Sequence, residues 1–296
     1  MHQYLLRLSG EIFMKSSPVR KGMFRTLSDN IYAIFINKKI EMKMNTDNAH
    51  FYIETYSDNE QVKGILSKIF GISSYSQVYD TDNKLDNIKN TIIKIADELI
   101  TDNTAFGLSV KKSNKGSIQY SSQEIAKEIG KEILERFENK KIRVDLDNPD
   151  IRIYAEIRDN HTYIYSDKIR AAGGLPAGSE GSGISIINGK ESLISAWLMM
   201  RRGVKTTAIT CQEWTDYAEI LRQWDYKMDV IYEEPDKLIE KSLQIAKEMN
   251  VDSISAHIDL DTLKKYPELF QKFGYISPTL GLTDDLMDRY YTMIIS

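Results

Sequence analysis

The residues whose types and spacing could do chemistry in this chain are Asn188-Gly189-Lys190-Glu191-Ser192. They lie between a short apolar run, Ile184-Ser185-Ile186-Ile187, and an apolar helical stretch, Leu193 to Met200. A buried strand, a tight turn and a helix N-terminus in that order make an anion site, because free backbone N–H groups and the helix dipole both favour phosphate. Lys190 adds a cation, Glu191 a carboxylate and Ser192 a hydroxyl. The turn holds only one glycine, and Asn188 and Glu191 stand where a phosphate loop favours smaller residues. Two readings stay open: a weakened nucleotide site, or a decayed loop that merely joins strand to helix.

Other chemistries are narrowed by composition. One cysteine, Cys211, excludes an internal disulfide and a Cys-based zinc site. It is followed by Gln212-Glu213-Trp214, which offers no cation to make a reactive thiolate, so a buried, inert thiol is expected. Histidines at 2, 50, 161 and 257 have no metal-ligand spacing, and no metal site is expected. No apolar run approaches the ~20 residues of a membrane span, and Met1-His2-Gln3-Tyr4 opens no signal-like segment, so the reading is cytoplasmic.

The net charge of −4 hides an asymmetry. Residues 1–175 carry 26 Lys/Arg against 24 Asp/Glu, net +2, and residues 176–296 carry 13 against 19, net −6. A polyanion should prefer the first part. Its basic residues cluster at Lys15, Arg20, Lys21 and Arg25, at Lys111, Lys112 and Lys115, and at Lys140, Lys141 and Arg143. Each cluster alone reads as solvated surface. Together they suggest a phosphate-tracking face, with Tyr120 placed to stack on an unpaired base.

These residues need elements to position them. Periodicity predicts strands at 4–8, 39–44, 50–55, 73–79 and 105–111, and helices at 19–37, 61–70, 84–101 and 122–138. Ser121 with Glu124 is a capping signal, and Gly71 is a plausible helix stop. Residues 151–159 and 161–170 read as a hairpin. Beyond a Gly/Ser linker at 173–183, strands at 184–187, 205–210, 228–233 and 253–258 alternate with helices at 193–200, 215–223 and 235–250. That alternation predicts a doubly wound parallel sheet with its ligand at the carboxyl ends of the strands. Trp197, Trp214 and Trp224 stand at apolar helical positions and read as core, with a docking surface for a protein partner as the alternative.

Several segments in order resemble the tRNA 4-thiouridine synthetase (tRNA sulfurtransferase) family. They are Arg7-Leu8-Ser9-Gly10-Glu11-Ile12 with Lys15, Phe70-Gly71-Ile72-Ser73-Ser74-Tyr75, and Ser121-Ser122-Gln123-Glu124-Ile125 with Glu128-Ile129-Gly130. They continue with Val144-Asp145-Leu146-Asp147-Asn148-Pro149-Asp150, Gly173-Gly174-Leu175-Pro176 with Gly178, and Leu198-Met199-Met200-Arg201-Arg202-Gly203. The resemblance implies an α/β chain with a ferredoxin-like α+β domain at 1–59, a THUMP domain at 60–172, the linker, and a PP-loop ATP-pyrophosphatase-like domain at 184–296. It implies binding of the tRNA acceptor arm and its 3′ end, ATP with Mg2+ as cofactor, and a homodimer. On that basis Lys15, Arg20, Lys111, Lys112, Lys115, Tyr120 and Arg143 are the expected RNA-binding residues. Asn188, Gly189, Lys190, Glu191 and Ser192 are the expected nucleotide-binding residues.

The chain departs from the family in two places. The family loop Ser-Gly-Gly-x-Asp-Ser falls on Ile187, Asn188, Gly189, Lys190, Glu191 and Ser192, so only Gly189 and the last serine are kept. The family's catalytic cysteine lies beyond the segment that Gly281-Leu282-Thr283-Asp284-Asp285 resembles, and no cysteine follows Cys211. The resemblance therefore implies a tRNA-binding protein that does not complete thiolation alone. The rival expectation is an enzyme that adenylates tRNA and takes sulfur from a carrier protein or from sulfide. No Phe-Pro pair precedes Ser121, which departs from the family at the loop that includes Tyr120.

Overall fold

Residues 50–55 alternate strictly, with Phe51, Ile53 and Thr55 buried and the residues between them half-exposed, and they form a strand. The same logic recurs through the chain. The computed structural model describes residues 1–47, 49–112, 118–258 and 260–296. In order it places β1 (His2–Leu8), α1 (Gly10–Phe13), α2 (Ser17–Asn37), β2 (Met42–Thr46), β3 (His50–Thr55), α3 (Asn59–Ser67), β4 (Ile72–Gln77), β5 (Tyr79–Asp82), α4 (Leu85–Leu99), β6 (Ala105–Lys112) and α5 (Ser122–Arg136). Then come β7 (Arg143–Val144), β8 (Ile151–Ile157), β9 (His161–Tyr165), β10 (Ile169–Arg170), β11 (Ser182–Ile187), α6 (Lys190–Arg201), β12 (Lys205–Thr210), α7 (Thr215–Arg222), β13 (Asp229–Tyr232) and α8 (Leu238–Met249). The last are β14 (Ser253–Ser255), α9 (Leu260–Lys265), α10 (Glu268–Gln271), β15 (Gly274–Ile276) and α11 (Asp284–Ile295).

The chain divides into two compact units. The first contains Met1–Arg7, Met42–Asn59 and Ser74–Arg170. One sheet there runs β10-β4-β1-β3-β2, with β3 antiparallel to both β1 and β2. The other runs β5-β9-β8-β6-β7, antiparallel at β5–β9–β8 and parallel at β8–β6–β7. Ile88, Ile92 and Ile95 of α4 and Ile125, Ile129 and Ile133 of α5 share a core with Phe106, Ile153, Ala155, Ile157 and Ile164 of the second sheet. Helix α5 starts with the expected capping box: the Glu124 N–H donates to Ser121 Oγ at 3.2 Å, and the Ser121 N–H donates to Glu124 Oε2 at 2.7 Å.

The second unit contains Leu8–Glu41, Glu60–Ser73 and Ala171–Ser296. Its sheet is parallel in the order β13-β12-β11-β14-β15. Residues of α6, α7 and α11 share one core with Ile187, while Leu238, Leu243 and Ala246 of α8 share another with Ile184, Ile186 and Ile209. The sheet is therefore covered on both faces, as the strand–helix alternation predicts. Gly183 packs closely: a Cβ there would lie 2.5 Å from Ser253 Oγ and 3.3 Å from the Ser253 carbonyl oxygen on the neighbouring strand. Trp197 and Trp224 are core residues, fully buried and 5% exposed, so the docking-surface alternative fails for both; Trp214 is half-buried. Cys211 is buried, as expected.

Several expected elements shift. The strand after α2 begins at Met42 rather than 39, because Lys39 takes φ 55° and ends the helix instead. Residues 161–170 break in two: β9 pairs with β8, whereas Ile169 and Arg170 pair with Tyr75 and Ser74 of the other sheet. Helix α3 ends at Ser67, short of the expected 70, although Gly71 is left-handed at φ 98°. Among the described residues no helix is long and apolar enough to cross a membrane.

Candidate functional site

Strand β11 has β12 on one side and β14 on the other, so the sheet changes direction of growth there. Doubly wound sheets hold their ligands at the carboxyl ends of the strands at such a point. Asn188 and Gly189 occupy that place. Helix α6 starts at Lys190 rather than at 193, so Lys190, Glu191 and Ser192 form its first turn instead of the turn before it. Their backbone N–H groups precede the first intrahelical donor, the Leu193 N–H that bonds the Gly189 carbonyl at 3.0 Å, and so suit an anion.

The side chains are already engaged. Ser192 is 1% exposed; its Oγ donates to the Gly189 carbonyl at 2.8 Å and accepts the Asn188 N–H at 2.8 Å. Both bonds close the loop on itself. Gly189 is extended, with φ 160° and ψ −178°, and a Cβ there would meet nothing nearer than Glu191 Oε2 at 3.6 Å. The Glu191 carboxylate thus folds back beside the loop and puts the chain's own negative charge at the helix N-terminus. Lys190 turns to α11, with Nζ 2.6 Å from Asp288 Oδ1 and 4.9 Å from the centre of the Tyr291 ring. The Asp288 hydrogen bond raises the Lys190 pKa. Tyr217, near the same ring, is pushed up to about 12 by burial and by its hydrogen bond to Tyr291.

The expected RNA-binding residues fall in both units. In the second, Lys15 is half-exposed and bonds Glu180 at 2.7 Å, and Arg20 is half-exposed on the first turn of α2. In the first, Lys111 is exposed at the end of β6, and Tyr120 is 46% exposed just before the cap of α5. The Lys112 amine is not free: it donates to the Ile118 carbonyl. Arg143 pairs with Ala105 at the opposite end of β6 and bonds the Asn103 carbonyl at 3.3 Å. Six residues of strand separate Ala105 from Lys111, roughly 20 Å, so Arg143 and Lys111 do not form one cluster. Lys115 lies outside the described residues.

Sequence reasoning missed a charged network in the first unit. Arg158 Nη1 donates to Asp47 Oδ2 at 2.8 Å and to the Tyr52 hydroxyl at 2.6 Å, and Nη2 donates to Glu156 Oε2 at 2.6 Å. Glu156 Oε1 also accepts from Tyr165 at 2.6 Å and from Arg7 at 3.1 Å. Burial opposes ionisation of Glu156, but Tyr165, Arg158 and Arg7 outweigh it and hold the carboxyl at about 2. Burial and its bond to Glu156 push the Tyr165 hydroxyl up. The available signal was weak: Glu156 lies on the face of β8 opposite Ile153, Ala155 and Ile157, and Arg158 follows the end of the strand.

Comparison with known proteins places these features. The ThiI ferredoxin-like domain family matches residues 3–76, and the THUMP domain family matches residues 82–167. The probable tRNA sulfurtransferase of Macrococcus caseolyticus is 32% identical over 210 residues, covering 70% of this chain and 51% of that protein. The probable tRNA sulfurtransferase of Methanocaldococcus jannaschii is 27% identical over 278 residues, covering 89% and 72%. The chain spans about half the length of most curated relatives it matches. Among solved structures, the Pyrococcus horikoshii protein PH1313 superposes with a TM-score of 0.82 at 24% identity over 98% of both chains. A 4-thiouridine synthetase–RNA complex with bound ATP superposes with a TM-score of 0.81 at 22% identity, covering 99% of this chain and 85% of that one.

Proposed function

The chain belongs to the tRNA sulfurtransferase family by its ThiI ferredoxin-like and THUMP domains, and from that membership we propose that it binds the tRNA acceptor arm. The observation that carries the reading is the pair of domain matches, which together take up residues 3–76 and 82–167. In this reading the domains run 1–59, 60–172 and 184–296, joined by the segment 173–183. Lys15, Arg20, Lys111, Lys112, Lys115 and Arg143 neutralise phosphates, and Tyr120 stacks on an unpaired base. The protein acts in the cytoplasm as a homodimer.

We further propose that the chain does not complete thiolation alone. Ser192 and Lys190 are each committed within the protein, the Glu191 carboxylate lies beside the loop, and Cys211 is buried. The backbone of the loop fits a phosphate better than its side chains do. A carrier or catalytic partner would supply sulfur. Fluorescence anisotropy with labelled tRNA tests the main reading: saturable, salt-sensitive binding supports it, and no binding at low salt ends it.

A second reading is favoured by the orphan N–H groups of α6 at the switch point of the sheet, together with the bound ATP in one structural neighbour. In it the chain binds Mg-ATP through Asn188 to Ser192 and adenylates tRNA. Pyrophosphate release that depends on tRNA would favour this reading over the first.

A further inference from the structure

Lys190 is the one cation among Asn188 to Ser192. Its amine lies between the Asp288 carboxylate and the face of Tyr291, both on α11. Helix α11 does not need that pair to stay in place. Ile294 is fully buried, the Trp224 indole N–H donates to the Ile294 carbonyl at 3.0 Å, and the Tyr290 and Trp197 rings are 6.0 Å apart. Asp288 itself is 70% exposed, whereas neighbouring Asp285 is taken by Arg289 at 3.0 Å. Asp288 is therefore delivered to Lys190 by a helix anchored elsewhere.

We propose that Asp288 is a tethered competing anion that sets the loop's selectivity for polyphosphate over orthophosphate. The inference rests on the reading of Asn188 to Ser192 as a nucleotide site. A phosphate at the start of α6 recruits Lys190 only by displacing Asp288. That carboxylate is held at high effective concentration, so orthophosphate, with less charge than pyrophosphate, competes poorly. Pyrophosphate carries more charge and can use the free N–H groups of the first turn as well. Because the pair is solvent-exposed, the barrier is small enough to be crossed.

The test is calorimetric titration of the full chain with pyrophosphate and with inorganic phosphate, in wild type, Asp288→Asn, Lys190→Met and the double variant. Asp288→Asn should tighten pyrophosphate binding by about two- to fivefold, the range of an exposed ion pair, and should tighten phosphate binding more. On the Lys190→Met background the Asp288→Asn change should do nothing. Equal tightening on both backgrounds would show a general charge effect and overturn the proposal. So would unchanged affinity in Asp288→Asn, or no pyrophosphate binding by any of the four proteins. Circular dichroism confirms that each variant is folded. tRNA affinity measured on the same proteins reports separately on the acceptor-arm reading, which stands or falls without Asp288.

Discussion

The Ser192 hydroxyl lies 2.8 Å from the carbonyl oxygen of Gly189, on the loop it would have to release before meeting a ligand. It also satisfies the Asn188 N–H at 2.8 Å. Ser192→Ala should therefore act on stability. Losing the two bonds of this buried hydroxyl costs about 1–2 kcal/mol, read as a lower denaturation midpoint in urea. Pyrophosphate affinity should stay within about twofold, since the phosphate uses backbone donors. A large loss of affinity with normal stability would make the hydroxyl a ligand donor after all.

Two glycines should respond oppositely to alanine. Gly189 is extended and has room, so Gly189→Ala should shift stability by less than about 0.5 kcal/mol. Gly174 has φ 73°, and a Cβ would lie 2.2 Å from the Arg201 carbonyl oxygen. Gly174→Ala combines left-handed strain with a backbone clash and should cost about 3 kcal/mol or more. Thermal melts of the two variants decide the matter.

Glu156 predicts a pH dependence. Its carboxyl is held at about 2 in the folded protein, below its unfolded value of about 4.3. A depressed pKa gives stability that is present above the unfolded value and is lost as pH falls through the folded one. Stability should fall between about pH 4.3 and 2, and Glu156→Gln should flatten that part of the profile. Asp47 is also lowered by His50 and Tyr52 against its burial, but its side chain is 40% exposed and solvent screens it, so it contributes less. Arg158→Met leaves both carboxylates short of their shared cation and should destabilise by about 2–3 kcal/mol, a value discounted for partial solvation. Urea titrations across that pH range test both variants.

Lys111 and Lys112 should differ. Lys111 is exposed and free to meet a phosphate, whereas Lys112 is bonded to the Ile118 carbonyl. Lys111→Ala should lower the salt slope of tRNA binding by about 1. Lys112→Ala should change that slope less and should loosen Ile118, visible as faster amide exchange at Ile118 and Gln119.

Much of the fold was legible because local signals agree with the tertiary outcome. Ser121 and Glu124 announce the start of α5, and the apolar spacing of α4 and α5 marks the faces they bury. Strand–helix alternation after residue 184 gave the doubly wound sheet. The site was legible only in part. Asn188 to Ser192 follow the carboxyl end of β11, yet where Lys190 turns depends on Asp288, 98 residues further on. The Arg158 network joins residues 7, 47, 52, 156 and 165 through strand pairing, and no local period encodes such a meeting. Lys39 and the break after Tyr165 were misplaced for a related reason: a left-handed residue and a change of sheet override alternation.

The most direct test of the account is the affinity of the full chain for labelled tRNA between about 50 and 200 mM salt. Saturable binding that weakens by roughly a hundredfold or more over that range is expected if several phosphates are neutralised. Absence of saturable binding at the lowest salt, or binding indifferent to salt, would contradict the assignment of this chain as a tRNA-binding protein.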